Sequence, residues 1–98
     1  PPELLSRAAA ALDDRREALE SCAAAAGEPR GAVLDVELEL REDGRFMEGR
    51  LLRALPEASA LRRCAVGPLL GTRIAGDPPA GAHTVRYVYR LQARASSR

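Results

Sequence analysis

An alternation of apolar and acidic residues near the middle of the chain constrains the fold more than any other feature of the sequence. The apolar members are Leu34, Val36, Leu38 and Leu40, and the acidic members between them are Asp35, Glu37 and Glu39. A period of two is typical of a β-strand that has one buried face and one face in water. Residues 32–40 are therefore predicted to form a strand that lends one apolar face to a core.

The residues after this strand predict a hairpin. Asp43-Gly44 separates two strand-like runs, and this dipeptide is a strong signal for a two-residue turn. The second strand then runs from about Phe46 to Ala54. The predicted opposing pairs are Leu40 with Met47, Leu38 with Gly49, Glu37 with Arg50 and Val36 with Leu51. This register leaves Phe46 and Leu52 on the polar face, either as a contact patch or because a bulge shifts the true register.

Two helices and a third strand complete the predicted elements. Residues 3–26 carry an apolar stripe that includes Leu5, Ala8 and Leu12, which predicts one helix ending at Gly27. A second helix opens at Pro56-Glu57 and is expected to break near Gly67-Pro68. After a loop at residues 76–81, the segment 83–93 alternates again and predicts the last strand.

The predicted fold class is α+β, with the element order α-β-β-α-β. Placing the first strand in the centre gives a three-stranded antiparallel sheet of order 2-1-3, with two helices packed on one face and the third strand at an open edge. A chain of 98 residues is one domain, spanning 1–98 with a core of about 3–93. Pro1-Pro2 is not a translation start, and the sequence shows no signal peptide or apolar transmembrane run, so we expect the domain to be excised from a longer protein.

Charge and motif content argue against catalysis and nucleic-acid binding. The net charge is +1, and charges of opposite sign are interspersed along the chain rather than grouped into a basic stripe. No Ser/His/Asp or Cys/His constellation and no glycine-rich phosphate loop is present, so neither catalytic residues nor a cofactor is predicted. Two cysteines and one histidine fall short of a structural zinc pattern.

The two cysteines lie on the apolar sides of the two predicted helices. Cys22 is near the end of the first helix and Cys64 is within the second, so both side chains are expected to point toward the shared core. Their spacing is compatible with a disulfide and equally with two buried thiols that act as small apolar side chains.

The order and spacing of the motifs resemble the C-terminal domain of TonB, and more closely the AgmX/PglI C-terminal domain family. The motifs are Leu19-Glu20-Ser21-Cys22, Gly31-Ala32-Val33-Leu34, Asp43-Gly44-Arg45, Leu61-Arg62-Arg63-Cys64, Asp77-Pro78-Pro79 and the closing strand Val85 to Leu91, which together span about 15–93. Two family features are absent. Arg73-Ile74-Ala75-Gly76 stands where an aromatic-Pro pair is usual, and the Gln-Pro-x-Tyr-Pro element of TonB is missing.

The resemblance implies a non-catalytic periplasmic domain of a membrane-anchored protein. Such domains contact cell-envelope partners in energy-transducing or gliding-motility systems, and any membrane contact comes through a segment outside this chain. An oxidising periplasm favours a Cys22–Cys64 disulfide. The missing TonB elements point to an envelope partner other than a TonB-box receptor.

The mechanism expected for such a domain is strand addition, in which an extended peptide pairs with the edge of the third strand. The predicted partner-binding residues are Val85, Arg86, Tyr87, Val88, Tyr89, Arg90 and Leu91. Arg86, Val88 and Arg90 belong to its outer face, where the arginines either pair with an acidic segment or guard the edge against aggregation. The alternatives are a nucleic-acid-binding α/β module and a structural dimerisation domain. A homodimer is also among the expected assemblies.

Overall fold

The computed structural model describes residues 2–27 and 31–91, which form an α+β fold. The elements are α1 (Pro2–Asp13), α2 (Arg16–Ala25), β1 (Ala32–Leu40), β2 (Phe46–Leu55), α3 (Ser59–Ala65), a 3-10 turn (Gly67–Leu69) and β3 (His83–Leu91). The predicted continuation of the last strand to residue 93 lies outside the described residues. In the part of the chain that is described, no helix has the length and apolar character needed to cross a membrane.

The sheet has the predicted order β2-β1-β3 and is antiparallel throughout. The alternation in β1 produces the expected two faces, since Leu34, Val36, Leu38 and Leu40 are buried while the residues between them are half-buried. The helices cover the buried face, and the opposite face, here called the open face, carries the charged residues of β1. The sequence prediction of the fold class is therefore confirmed.

The hairpin follows the predicted register except at its turn. The pairs Leu38 with Gly49 and Val36 with Leu51 are confirmed, but the predicted pair of Leu40 with Met47 is wrong because Leu40 lies opposite Phe46. The bulge that causes this shift leaves Met47 without a partner on β1. Phe46 is consequently buried in the core, whereas the side chain of Met47 is 45% exposed.

The turn chemistry explains why the two-residue turn does not form. The Gly44 N–H donates to the Arg41 carbonyl, and the Arg41 N–H donates to the Arg45 carbonyl, both at 2.9 Å. Gly44 has a φ of 84°, a left-handed conformation that closes a longer turn and creates a bulge on the following strand. The Asp43 carboxylate accepts from the Arg45 N–H at 3.0 Å and holds this longer turn.

Leu52 lies at a second irregularity of the same strand. The register between β1 and β2 shifts between Asp35 and Val36, so Leu52 has no direct partner on β1. Its side chain is half-buried and is absent from the core cluster, to which the neighbouring Leu51 contributes. Of the two residues that the predicted register placed on the polar face, only Phe46 belongs to the core.

The leading helix is divided in two, where the sequence predicted one helix over residues 3–26. α1 ends at Asp13 and α2 begins at Arg16. In a continuous helix the Leu12 carbonyl would accept from the Arg16 N–H. It accepts instead from the Arg15 N–H and from the hydroxyl of Tyr89 on β3. These contacts take the place of the regular helical hydrogen bond at the break.

The buried face of α1 also differs from the predicted stripe by one residue. Leu4, Ala8 and Leu12 are buried at a constant spacing of four, whereas Leu5 is 57% exposed. A spacing of four places successive side chains on one face of a helix, so Leu4 rather than Leu5 continues the stripe toward the N-terminus.

The two cysteines meet between the helices. Cys22 on α2 and Cys64 on α3 lie at disulfide-bonding distance, with their Cα atoms 6.0 Å apart and 42 positions apart in sequence. The chain between them contains β1 and β2. A covalent bridge here would join the helices over the buried face of the sheet.

The bulge predicts that two adjacent substitutions differ greatly in their effect on stability. Phe46→Ala removes a fully buried ring and should lower the free energy of unfolding by about 3–5 kcal/mol. Met47→Ala changes an exposed side chain and should alter it by less than about 0.5 kcal/mol. Urea denaturation of both variants makes the comparison, and a larger loss for Met47→Ala would contradict the observed register.

The cysteine geometry predicts a bridge in protein taken from its native compartment. Its mass under non-reducing conditions should be lower than that of the reduced chain by two hydrogen atoms, and neither cysteine should be alkylated. Closing a 42-residue separation stabilises the fold by about 4 kcal/mol in the loop-entropy estimate. Cys22→Ser and Cys64→Ser should each lose about this amount in urea denaturation, and two readily alkylated thiols in the native protein would overturn the prediction.

Candidate functional site

The outer edge of β3 is the side of this strand that faces away from β1. β3 pairs with β1 over its whole length, from Ala32 opposite Leu91 to Leu40 opposite His83, without a bulge. Among residues 2–27 and 31–91, no other strand pairs with it. The third strand therefore occupies the rim of the sheet, as the sequence predicted.

Hydrogen bonds at the opposite rim of the sheet, on β2, show which main-chain groups of β3 point outward. The Phe46 N–H donates to the Thr72 carbonyl at 2.9 Å, and the Phe46 carbonyl accepts from the Gly71 N–H at 2.7 Å. Since Phe46 turns both groups away from β1, its partner Leu40 directs its own groups toward β3. Leu40 is opposite His83, so His83 points inward toward β1.

Because the register between β1 and β3 is unbroken, the direction alternates along the whole strand. The residues that direct their N–H and C=O groups outward are Thr84, Arg86, Val88 and Arg90. A separate contact supports this assignment, since the Arg90 carbonyl accepts a hydrogen bond from Arg16 Nη1 on α2 at 2.9 Å. That carbonyl faces the outside of the sheet.

The structure divides the predicted partner-binding residues into two groups. The side chains of Val85, Tyr89 and Leu91 are buried in the core and Tyr87 is half-buried, so these residues support the strand from within. Arg86, Val88 and Arg90 are exposed on the open face and also carry outward main-chain groups. Thr84 shares these properties and was not predicted, although the same alternation extends to it.

Arg16 closes one end of the β3 edge. Its Nε and Nη2 donate to Asp13 Oδ1 at 3.2 and 2.9 Å, while Nη1 donates to the Arg90 carbonyl. The hydrogen bond from Arg16 to the Asp13 carboxylate raises the pKa of the guanidinium. Sequence reasoning missed this contact because it depends on the helix break, which places Asp13 and Arg16 at a corner beside β3.

Two tyrosines hold β3 against the helices near this corner. The Tyr89 hydroxyl donates to the Leu12 carbonyl, and the Arg16 guanidinium carbon lies 5.9 Å from the centre of the Tyr89 ring. The rings of Tyr87 and Tyr89 meet edge to face, with centroids 4.9 Å apart. Burial raises the pKa of the Tyr89 hydroxyl well above its ordinary value.

The outer edge of β2 carries contacts at two places. Besides the contacts of Phe46, the Leu51 carbonyl accepts a hydrogen bond from Arg62 Nη1 at 3.1 Å. Arg62 Nη2 donates to Glu57 Oε1 at 3.1 Å, and the hydrogen bonds from Arg62 lower the pKa of the Glu57 carboxyl. β2 is thus covered by main chain at its start and by an arginine further along.

The chemistry offered by this region is main-chain hydrogen bonding. Within the described ranges, no group of three or more His, Cys, Asp or Glu side chains is arranged to hold a metal ion. A shallow hollow of about 280 Å³ on the sheet is lined by Glu37, Leu38, Glu39, Glu48, Gly49, Arg50 and Thr84. Its charged residues are carboxylates and one arginine on a solvent-facing surface.

Comparison with models of protein families, with curated proteins and with solved structures finds no match to this chain.

The assignment of outward and inward groups predicts an alternating pattern of hydrogen exchange in the isolated domain. The amides of Thr84, Arg86 and Val88 should exchange at least about a hundredfold faster than those of Val85 and Tyr87, which are protected by β1 and exchange only when the sheet opens. Residue-resolved exchange measured by NMR makes the test. Protection of the even-numbered amides would show that another segment covers the edge.

Proposed function

We propose that this chain is a non-catalytic protein-interaction domain that takes an extended segment of its partner onto the outer edge of β3. The observation that carries the proposal is that this edge has main-chain N–H and C=O groups without partners in the described part of the chain. The outward groups of Thr84, Arg86 and Val88 have no main-chain partner among the described residues, whereas on β2 both groups of Phe46 and the carbonyl of Leu51 have partners. A guest strand would complete the ladder on the side that is left open.

The difference between the two edges supports a role in binding. Natural sheets protect their edges, because unpaired N–H and C=O groups invite pairing with other chains. Here one edge is protected at Phe46 by main chain and at the Leu51 carbonyl by an arginine, while the other is protected only where Arg16 reaches the Arg90 carbonyl. Each main-chain hydrogen bond contributes only about 0.5–1.5 kcal/mol net, so a short ladder gives moderate affinity and leaves specificity to side chains.

The proposed location is the periplasm, as part of a membrane-anchored protein. One feature of the structure supports it: Cys22 and Cys64 lie at disulfide-bonding distance, and disulfides persist in oxidising compartments. The resemblance to TonB-like C-terminal domains suggests a partner in the cell envelope, within an energy-transducing or gliding-motility system. The open edge fits this type of contact, in which one domain captures an extended segment of another protein.

Substitution at Val88 tests the mechanism with a matched control. Val88→Pro removes an outward N–H while the pairing of its neighbours with β1 is retained, so capture of the native partner from an envelope extract should fall by about tenfold or more. Val88→Thr keeps the N–H and the β-branched shape and should capture the partner as the unchanged domain does. Pull-down with quantitative mass spectrometry measures both, and urea denaturation checks that both variants fold.

Two outcomes would reject strand addition at β3. One is equal capture of the partner by Val88→Pro and Val88→Thr in folded protein. The other is a complex in which the Arg86 and Val88 amides exchange as fast as they do in the free domain. Salt-sensitive capture of nucleic acid in place of protein would instead support the nucleic-acid-binding module.

A further inference from the structure

The side chains along the β3 edge define what kind of guest it can accept. Arg86, Val88 and Arg90 follow one another at alternate positions on the open face, and all three are exposed. Thr84 continues the row, which contains no carboxylate. A guest strand would place its own alternate side chains beside this row, because neighbouring strands share their faces.

The two arginines differ in how far their charge is already compensated. Arg86 Nη2 donates to Asp35 Oδ2 on β1 at 2.6 Å. Arg90 lies opposite Val33, which offers no charge, and Arg90 makes no ion pair among residues 2–27 and 31–91. Arg90 is therefore the cation that gains most from a carboxylate on the guest.

A second copy of this chain offers the arginines of the row no counter-ion. Antiparallel pairing centred on Val88 would place Arg86 of one copy opposite Arg90 of the other, and pairing centred on Arg86 would place Arg86 opposite itself. Like charges directly opposite each other on adjacent strands are destabilising. Since the row has no carboxylate, no register of two β3 edges gives either arginine a counter-ion.

From this row we infer that the guest is an extended segment with the pattern acidic–x–apolar–x–acidic, its carboxylates beside Arg86 and Arg90 and its apolar residue beside Val88. The pattern reads the same in both directions, so it holds for parallel and antiparallel guests. The inference rests on the proposed strand addition and adds the chemistry of the partner. Arg16 limits the length of the guest, because the Arg90 carbonyl is already bonded to it.

Three synthetic peptides of equal length test the pattern. Their central sequences are Asp-Thr-Val-Thr-Asp, Asn-Thr-Val-Thr-Asn and Lys-Thr-Val-Thr-Lys, in identical neutral flanks. Fluorescence anisotropy at about 50 mM salt should show the acidic peptide binding about fivefold or more tightly than the amide peptide, with the lysine peptide weakest. The preference should shrink at about 500 mM salt, because exposed charges are then screened.

Charge reversal at Arg90 separates local recognition from general attraction. Arg90→Glu should abolish the preference for the acidic peptide and favour the lysine peptide. The matched control is Arg53→Glu. Arg53 is on β2, where it lies opposite Asp35 of β1. It is exposed and makes no ion pair among the described residues. The control substitution changes the net charge equally and should keep the acidic preference.

The outcomes distinguish this inference from the function on which it rests. Equal binding of all three peptides, with the Arg86 and Val88 amides protected from exchange, overturns the charge pattern and leaves strand addition standing. Loss of the acidic preference in Arg53→Glu as well as in Arg90→Glu also overturns it, since a general attraction then explains the binding. The charge pattern is also overturned if no peptide slows exchange of the Arg86 and Val88 amides. Strand addition itself is tested separately, by capture of the native partner with the Val88 variants.

Discussion

The hydrogen-bond ladder of β1 is the constraint on which the rest of the structure depends. β1 is paired along both of its sides, so each of its residues directs its main-chain groups to one neighbour or to the other. This alternation determines which groups of β2 and β3 remain for contacts outside the sheet. The contacts of Phe46 at one rim and the orientation of Arg90 at the other both follow from the ladder, although the two residues lie on different strands.

Two arginines donate hydrogen bonds to main-chain carbonyls that point away from β1. Arg16 reaches a carbonyl of β3 and Arg62 reaches a carbonyl of β2, and each is held by a carboxylate, from Asp13 at the end of α1 and from Glu57 before α3. Exposed ion pairs of this kind add little stability by themselves. Their value here is geometric, because a guanidinium fixed by a carboxylate keeps its remaining N–H groups aimed at the carbonyl it covers.

The fold could be predicted from the sequence wherever one physical pattern dominates. The period of two in β1 fixes the sheet faces, and the hairpin signal at Asp43-Gly44 gives most of the register. The shift at Phe46 could not be predicted from that dipeptide alone, because it depends on a φ of 84° at Gly44 and on the bond from the Asp43 side chain. Local hydrogen bonding in the turn outweighs the simplest reading of the motif.

The sequence was sufficient to predict which side chains of β3 are exposed, but it did not predict the contact that closes one end of the strand's edge. Alternation along residues 83–91 shows which side chains are exposed, and Arg86, Val88 and Arg90 follow from it. The closure of the edge by Arg16 depends on a helix break, at which a tyrosine distant in sequence bonds the Leu12 carbonyl. Periodicity within residues 3–26 carries no trace of that contact, since the same residues also suit a continuous helix.

The segment at residues 71–74 that covers the start of β2 has a consequence for stoichiometry. A sheet with two accessible rims can grow in both directions, as each added chain presents a fresh rim to the next. In the described sheet the loop blocks one rim at the first residue of β2, so a chain that added there could not pair along the whole strand, whereas β3 is open from Thr84 to Val88. Under the proposed strand addition, the favoured assembly is therefore a one-to-one complex whose outermost strand belongs to the visiting chain.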